Sequence, residues 1–285
     1  DGGGFHLVLL AKNKQGYKNL IKMVSYGWTE GFYYRPRVDK ELLRKFSDGL
    51  IASSACLHGE IPWLLRHEGA EAAKKSLAEY REIFKDDFYL ELQRHPSGDP
   101  QIDREVFENQ VFVNNQLLKL AEETGIKCIA TNDVHFINEE DAAAHDRLLC
   151  ISTGKDVDDP NRLRYTRQEW LKTQDEMKRL FADIPQVIGN IQDVVSKVEV
   201  YDLNSNPIMP DFPIPEGFAD AYEYLRHLTY KGAEKRFPDM NEIVRERIDF
   251  ELDTIRKMGF PGYFLIVWDV IRAAREMGVS VGPGR

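Results

Sequence analysis

The sequence predicts an α/β fold whose strands run parallel, followed by an α-helical segment. Three observations predict it. Between residues 50 and 131, short apolar runs alternate with long amphipathic stretches, the strand–helix–strand rhythm of parallel β/α architecture. From about Asn138 onward the apolar spacing becomes helical. Four prolines between residues 204 and 217 (Pro207, Pro210, Pro213 and Pro215) then interrupt the pattern; they remove backbone donors and fix φ, so the stretch reads as an extended connector and domain boundary.

Taken in order, Phe5-His6-Leu7-Val8-Leu9-Leu10 is a strand-like run. Leu50-Ile51-Ala52-Ser53-Ser54 reads as a short buried strand. A helix follows over 71–84, with Ala73, Leu77, Tyr80 and Phe84 at helical spacing. Phe88-Tyr89-Leu90-Glu91-Leu92 is the next strand. One long helix is expected over 104–124, stopped by Gly125, before a third strand at Lys127-Cys128-Ile129-Ala130-Thr131. Asn138 can cap a helix running through Ala142 and Leu148. Thr166-x-x-Glu169 and Thr173-x-x-Glu176 have the capping-box pattern that opens helices. A further amphipathic helix spans 187–198, and past the connector three more are expected over 219–236, 242–258 and 263–277.

Composition narrows the class. The 285 residues are 42% hydrophobic and 30% charged, which excludes a disordered or fibrous chain. No apolar run reaches the ~18 residues that cross a bilayer, and no signal peptide is visible. Three cysteines (Cys56, Cys128, Cys150) argue against a disulfide framework and for a reducing cytoplasm. The net charge of −9 is unevenly shared: residues 1–215 carry −8 and residues 216–285 carry −1. An acidic chain does not advertise nucleic-acid binding, which usually shows a basic face. Both termini read as cut through structure, so the chain is expected to be a segment of a longer protein.

The chemical signal lies just past the expected strands. Cys56 follows the first of them, Glu91 and His95 belong to the second, and Asp133 and His135 follow the third. Parallel sheets gather sites at their carboxyl edge, and a mixed Cys, His and carboxylate set suits zinc, or manganese and iron where oxygen and nitrogen dominate. Singly, each residue has a plainer reading: Cys56 as a small core residue, Asp133-Val134-His135 as a turn, His95 beside Pro96 as a loop residue. At the other end, Val281-Gly282-Pro283-Gly284-Arg285 follows a helix apolar on nearly every side, as expected of a helix buried in a larger body. Its glycines and arginine suit a phosphate, although a plain loop fits as well.

Several runs together resemble the bacterial DNA polymerase III alpha subunits, the family C replicative polymerases. They are His6-Leu7-Val8-Leu9-Leu10-Ala11-Lys12-Asn13, Gly16-Tyr17-x-Asn19-Leu20, Cys56-Leu57-x-Gly59-Glu60-Ile61, Ala130-Thr131-Asn132-Asp133-Val134-His135-Phe136 and Phe181-Ala182-Asp183-Ile184-Pro185. The most specific are Met258-Gly259-Phe260-Pro261-Gly262-Tyr263-Phe264-Leu265-Ile266-Val267 and the closing Val281-Gly282-Pro283-Gly284-Arg285. The resemblance implies that residues 1–203 are the later part of a PHP (polymerase and histidinol phosphatase) domain, a distorted β/α barrel. It implies that residues 204–285 are a connector and the beginning of the polymerase palm.

By the same resemblance His6, Cys56, Asp133 and His135 are metal ligands, for zinc or manganese, while the family's opening ligand motifs lie upstream. Glu91 and His95 have no family counterpart. The implied activity is DNA-directed DNA polymerisation, a nucleotidyl transfer, in the parent protein, with metal-dependent 3′-to-5′ exonuclease activity in the PHP site. The magnesium-binding aspartates of polymerisation lie downstream, so this stretch alone is not expected to polymerise. Gly282, Gly284 and Arg285 fall in the nucleotide-phosphate region. Primer-template DNA, deoxynucleoside triphosphates and other replicase subunits, including the sliding clamp and the proofreading subunit, are the implied partners, in the cytoplasm and with no membrane. Two other readings stay open: a free-standing PHP phosphoesterase and a non-catalytic α/β scaffold. The closing motifs speak against the first of these, and metal content separates it from the second.

Overall fold

The computed structural model describes residues 4–204 and 208–282. The chain falls into two compact units, residues 1–203 and 204–285.

The first unit opens with β1 (Val8–Ala11), α1 (Lys14–Thr29) and α2 (Lys40–Phe46). Next come β2 (Leu50–Ser53), α3 (Glu60–His67), α4 (Ala70–Phe84) and β3 (Phe88–Leu92). The unit continues with α5 (Pro100–Glu105), α6 (Phe107–Thr124) and β4 (Cys128–Ala130), and closes with α7 (Ala142–Thr153), α8 (Gln174–Leu180) and α9 (Gln186–Ser196). The four strands form one sheet in the order β1-β2-β3-β4. β2, β3 and β4 pair in parallel, as the alternation predicts. All their residues are buried, which explains why they read as nearly continuous apolar runs, broken by Glu91 in β3 and by Ser53 at the end of β2, rather than alternating ones. Leu50, Leu90 and Leu92 from the sheet meet Met23, Leu77 and Leu117 from the helices in the main core.

Several expectations are corrected. β1 runs antiparallel to β2, with Val8 opposite Ser53 and Ala11 opposite Leu50, so the sheet is mixed. The helix pair α1–α2 leaves and re-enters at the same edge: the Lys12 N–H donates to Gly49 O, so β2 must run against β1. That return needs glycine. A Cβ on Gly16 would stand 1.8 Å from Gly49 O, and Gly49 itself has φ +73°. The single helix expected over 104–124 is two, because the backbone leaves helical geometry at Val106 (φ −116°, ψ −64°). α5 starts earlier than its apolar pattern, with Asp99 accepting from the Gln101 and Ile102 N–H groups and Pro100 in the first turn. Thr173 and Glu176 do form a capping box on α8, but Thr166 and Glu169 open no helix. There the Glu169 carboxylate takes the Thr166 N–H and hydroxyl inside a buried loop.

The second unit is a helical cluster of α10 (Ala221–Arg236), α11 (Glu242–Lys257) and α12 (Pro261–Glu276) around Leu225, Leu252 and Leu265. Asp220 and Asn241 cap the first two of these helices. α12, whose apolar faces suggest a helix buried in a larger body, exposes Tyr263, Phe264 and Val270 in this segment, and Leu265 is its one buried residue among those described. Gly282 is an exposed coil residue; Gly284 and Arg285 lie outside the described residues.

Candidate metal centre

The parallel strands end at one edge of the sheet, and the backbone bends sharply there. After β2, Ala55 takes the left-handed conformation (φ +56°), and after β4 Asp133 does the same (φ +43°). Both are strained for residues with a Cβ, and such strain collects at functional sites. The bend at Ala55 leads into the turn Cys56-Leu57-His58-Gly59, closed by the Gly59 N–H donating to Cys56 O at 2.8 Å. Gly59 is required: a Cβ there would stand 2.0 Å from Ser54 O. On the other side of this turn, His6 forms a bridge with Gly59, and its N–H donates to His58 O at 3.0 Å. His6 precedes β1, so the antiparallel strand brings the chain start beside the end of β2.

The result is a compact donor group. His6 Nδ1 lies 3.5 Å and His58 Nδ1 3.9 Å from Cys56 Sγ. The ligand atoms of His6, Cys56 and His58 are all within 4.8 Å of one another. Cys56 also lines an open cavity of about 580 Å³ together with His6, Glu91, Gln93, Thr131 and Asp133. Glu91, buried in the middle strand, accepts hydroxyl hydrogens from Ser53 on one neighbouring strand and Thr131 past the other. Burial pushes the Cys56 thiol up from its ordinary pKa, and the negative charges of Asp133 and Glu91 push it the same way. Burial pushes His58 down, reinforced by His6 and Arg66. A surplus of negative potential around a reluctant thiol is the environment a cation reverses, since metal ions bind the deprotonated thiol.

The loop carrying Asp133 is pinned from behind. Asn132 Nδ2 donates to Gln168 O and Trp170 O, at 2.9 and 2.7 Å, and the His135 N–H donates to Glu169 O at 2.7 Å. His95, 3% exposed, donates through Nε2 to Asn132 O (3.1 Å) and accepts through Nδ1 from Gln110 (3.0 Å). It is a loop residue, as its place beside Pro96 suggests, but a buried one outside the cavity wall, and it holds the Asp133 loop from inside. Of the four residues expected as ligands, His6, Cys56 and Asp133 line the cavity and His135 does not. The His135 ring has Nδ1 at 2.6 Å from Asp133 O and Nε2 at 3.1 Å from the Tyr165 hydroxyl, with His145 packed beside it. His58 and Glu91 carry no weight in the family pattern. The signal for His58 was the Cys-x-His spacing in the turn. Glu91 was marked only by its place in the middle strand.

The donor set fits a metal ion. One thiolate and two imidazoles match zinc; the Asp133 carboxylate, which lines the cavity with His6 and Cys56 but lies outside the close trio, is of a kind that suits zinc or manganese.

Comparison with known proteins gives two family matches, the PHP domain over residues 2–95 and the bacterial DNA polymerase III alpha NTPase domain over residues 223–285. His6, Cys56 and His58 lie within the first match; Asp133 and His135 lie beyond it. The DNA polymerase III subunit alpha of Borreliella burgdorferi is 44% identical over 99% of this chain and 24% of its own length. Those of Helicobacter pylori J99 and Thermus aquaticus are 40% and 36% identical, over 99% and 100% of this chain and 25% and 28% of their own lengths. The chain thus spans about a quarter of the length of the curated relatives it matches. No helix among the described residues is long and apolar enough to cross a membrane. Along its whole length the chain resembles the bacterial DNA polymerase III alpha subunits, with a PHP domain match near its start and an alpha NTPase domain match near its end.

Proposed function

We propose that this chain works as part of a cytoplasmic replicative DNA polymerase and that its first unit carries a metal-dependent phosphoester-hydrolysing centre, a 3′-to-5′ exonuclease on DNA. In this reading residues 1–203 are the later part of a PHP-type distorted barrel, and residues 204–285 a connector and the start of the polymerase palm. The parent protein takes primer-template DNA and deoxynucleoside triphosphates and works with the sliding clamp and proofreading subunits. Polymerisation uses magnesium ligands other than those found here. The observation that carries the hydrolytic reading is the meeting of His6, Cys56 and Asp133, from three separate chain segments, in one open cavity.

His6, Cys56 and Asp133 would hold the ion, with His135 behind Asp133. Zinc or manganese, if bound there, would supply Lewis-acid chemistry, lowering the pKa of a water and stabilising charge on the leaving oxygen. The chain's own part is positional. Glu91 has both carboxylate oxygens accepting hydroxyl hydrogens, from Ser53 and Thr131, so these contacts hold it in place at the cavity floor. Asn132 and His95 keep the Asp133 loop in its bent conformation. The cavity is open on one side, which leaves room for a phosphodiester end.

The test combines two measurements. Zinc or manganese titrated into the protein should release nucleotides from 3′-labelled single-stranded DNA, and Cys56→Ala and Asp133→Asn should abolish the release. Metal-dependent release that survives both substitutions would overturn the assignment of the site. In a primer-extension assay the same chain should add no nucleotides. Extension in magnesium would overturn the division of labour between this stretch and the rest of the polymerase.

A further inference from the structure

We infer that His58 is a direct ligand of the metal ion in this centre, forming with His6 and Cys56 a sulfur–nitrogen–nitrogen face for one thiophilic ion, the zinc class. The inference rests on the metal-centre reading above and extends it to a residue that the family pattern leaves as a variable position.

The argument is geometric. Zinc–sulfur and zinc–nitrogen bonds of ~2.3 and ~2.0 Å at a tetrahedral angle put a sulfur and a nitrogen ligand ~3.5 Å apart. Cys56 Sγ lies 3.5 Å from His6 Nδ1 and 3.9 Å from His58 Nδ1, a small adjustment from that spacing on both sides. The same ring nitrogen, Nδ1, is presented by both histidines. Their rings lie 5.4 Å apart, tilted by 35°, so neither blocks the other from a shared ion. The backbone explains why the trio is held together. His6 and His58 are joined by the hydrogen bond from His6 N–H to His58 O, and Cys56 and His58 share a turn closed by Gly59. Three donors therefore sit on two short segments already tied to each other before any metal arrives.

The plainer alternative is a thiol hydrogen-bonding to one imidazole. It accounts for one S···N contact but not for a second imidazole nitrogen turned to the same sulfur. His58 is an exposed side chain with no other hydrogen bond to hold it there among the described residues. The fourth position is left to a water, as in open zinc sites, since Asp133 stands outside this close trio although it lines the cavity beside His6 and Cys56.

Because His58 is exposed, its replacement leaves the core untouched, and circular dichroism should be unchanged for both His58→Ala and His58→Gln. The probes are zinc and cobalt(II), each alone, added to the chain up to millimolar concentration. X-ray absorption at the zinc edge should give one sulfur at ~2.3 Å and two imidazoles in the wild type, and one sulfur with one imidazole in either His58 variant. Affinity for cobalt(II) should fall at least tenfold in both variants, since even ligand-supporting residues outside the coordination sphere are worth that much. The thiolate-to-cobalt absorption band should survive in the His58 variants and vanish in Cys56→Ala. Unchanged affinity and an unchanged imidazole count in the His58 variants, with the band still lost in Cys56→Ala, would overturn the role of His58 and leave the centre standing. No binding by the wild type at millimolar metal would overturn both.

Discussion

Gly59 is the position where one added methyl group tests how the centre is built. An alanine Cβ there would lie 2.0 Å from Ser54 O, 3.1 Å from the Ser54 carbonyl carbon and 3.2 Å from Cys56 O. The neighbours are backbone, so no side chain can swing aside. Reaching even a tight 3.0 Å contact requires the turn and the end of β2 to separate by about 1 Å, and that displacement falls on the segment holding Cys56 and His58. Overpacking of this kind costs ~1–3 kcal/mol. For a unit of 203 residues, ~1 kcal/mol moves the melting temperature by ~2–4 °C, so Gly59→Ala should lower it by several degrees. The effect on metal should be larger in proportion, because ligand distances must hold to within ~0.2 Å. Cobalt(II) affinity should fall by an order of magnitude or more, and the thiolate band should weaken. Gly125→Ala is the control: its φ of +74° makes an alanine strained, but a Cβ there meets nothing within 4 Å. It should cost ~1–3 kcal/mol of stability and leave cobalt binding alone. Gly59→Ala with wild-type melting and wild-type affinity would refute the claim that the close approach at Ser54 sets the geometry of the centre.

Three further predictions follow from the same packing. Burial pushes the His95 pKa below its ordinary value, although Glu169 and Asp133 face it with negative charge and Lys172 with positive; the unfolded chain therefore binds the proton first. Stability should be fully present above the unfolded pKa of ~6.5 and fall as the pH drops below it. Urea melts from pH 7.5 to 5.5 should show this slope and His95→Gln should flatten it; an equal slope in the variant would remove His95 from the explanation. Arg94 grips both Asp183 carboxylate oxygens, at 2.6 and 2.8 Å, and its guanidinium covers the Phe181 ring at 4.8 Å. Asp183 is largely exposed, so Arg94→Ala should cost only about 1 kcal/mol in a denaturant titration, and Arg94→Lys should recover little of it because lysine lacks the two-pronged geometry. With a net charge of −9, the chain alone should bind primer-template DNA no better than ~10⁻⁴ to 10⁻⁶ M at ~150 mM salt in fluorescence anisotropy; nanomolar binding would show a complete DNA surface that the charge distribution hides.

The parallel strands and the residues at their ends were legible because both signals are local. β2, β3 and β4 are mostly apolar runs bounded by long amphipathic stretches, and Cys56 and Asp133 each stand three residues past strands that had to be neighbours for the pattern to pack. Helix ends with a side-chain signature were legible too: Thr173 with Glu176 caps α8. The same signature misled at Thr166, where Glu169 satisfies the same backbone donor without a helix following, because the chain there is drawn into the bridge between Phe136 and Trp170. The helices α1, α2 and α3 around β2 were missed although the first two carry a local signature, Asn13 accepting from the Gly16 N–H and Asp39 from the Leu42 N–H at their starts.

The sequence by itself determined the alternation of buried strands and long helices from residue 50 to 131, the connector rich in proline and the chemical kinds of donor at the strand ends, because periodicity, proline and side-chain chemistry are properties of neighbouring residues. Tertiary structure alone decided which donors meet. It set β1 antiparallel to β2 and thereby brought His6 to Cys56, turned His58 into the same group, placed Glu91 between two hydroxyls and sent His95 into the core. These outcomes depend on strand direction and on backbone bends at Ala55, Gly59 and Asp133. Such bends are fixed by contacts between segments dozens of residues apart, and no pattern within one segment encodes where the other will lie.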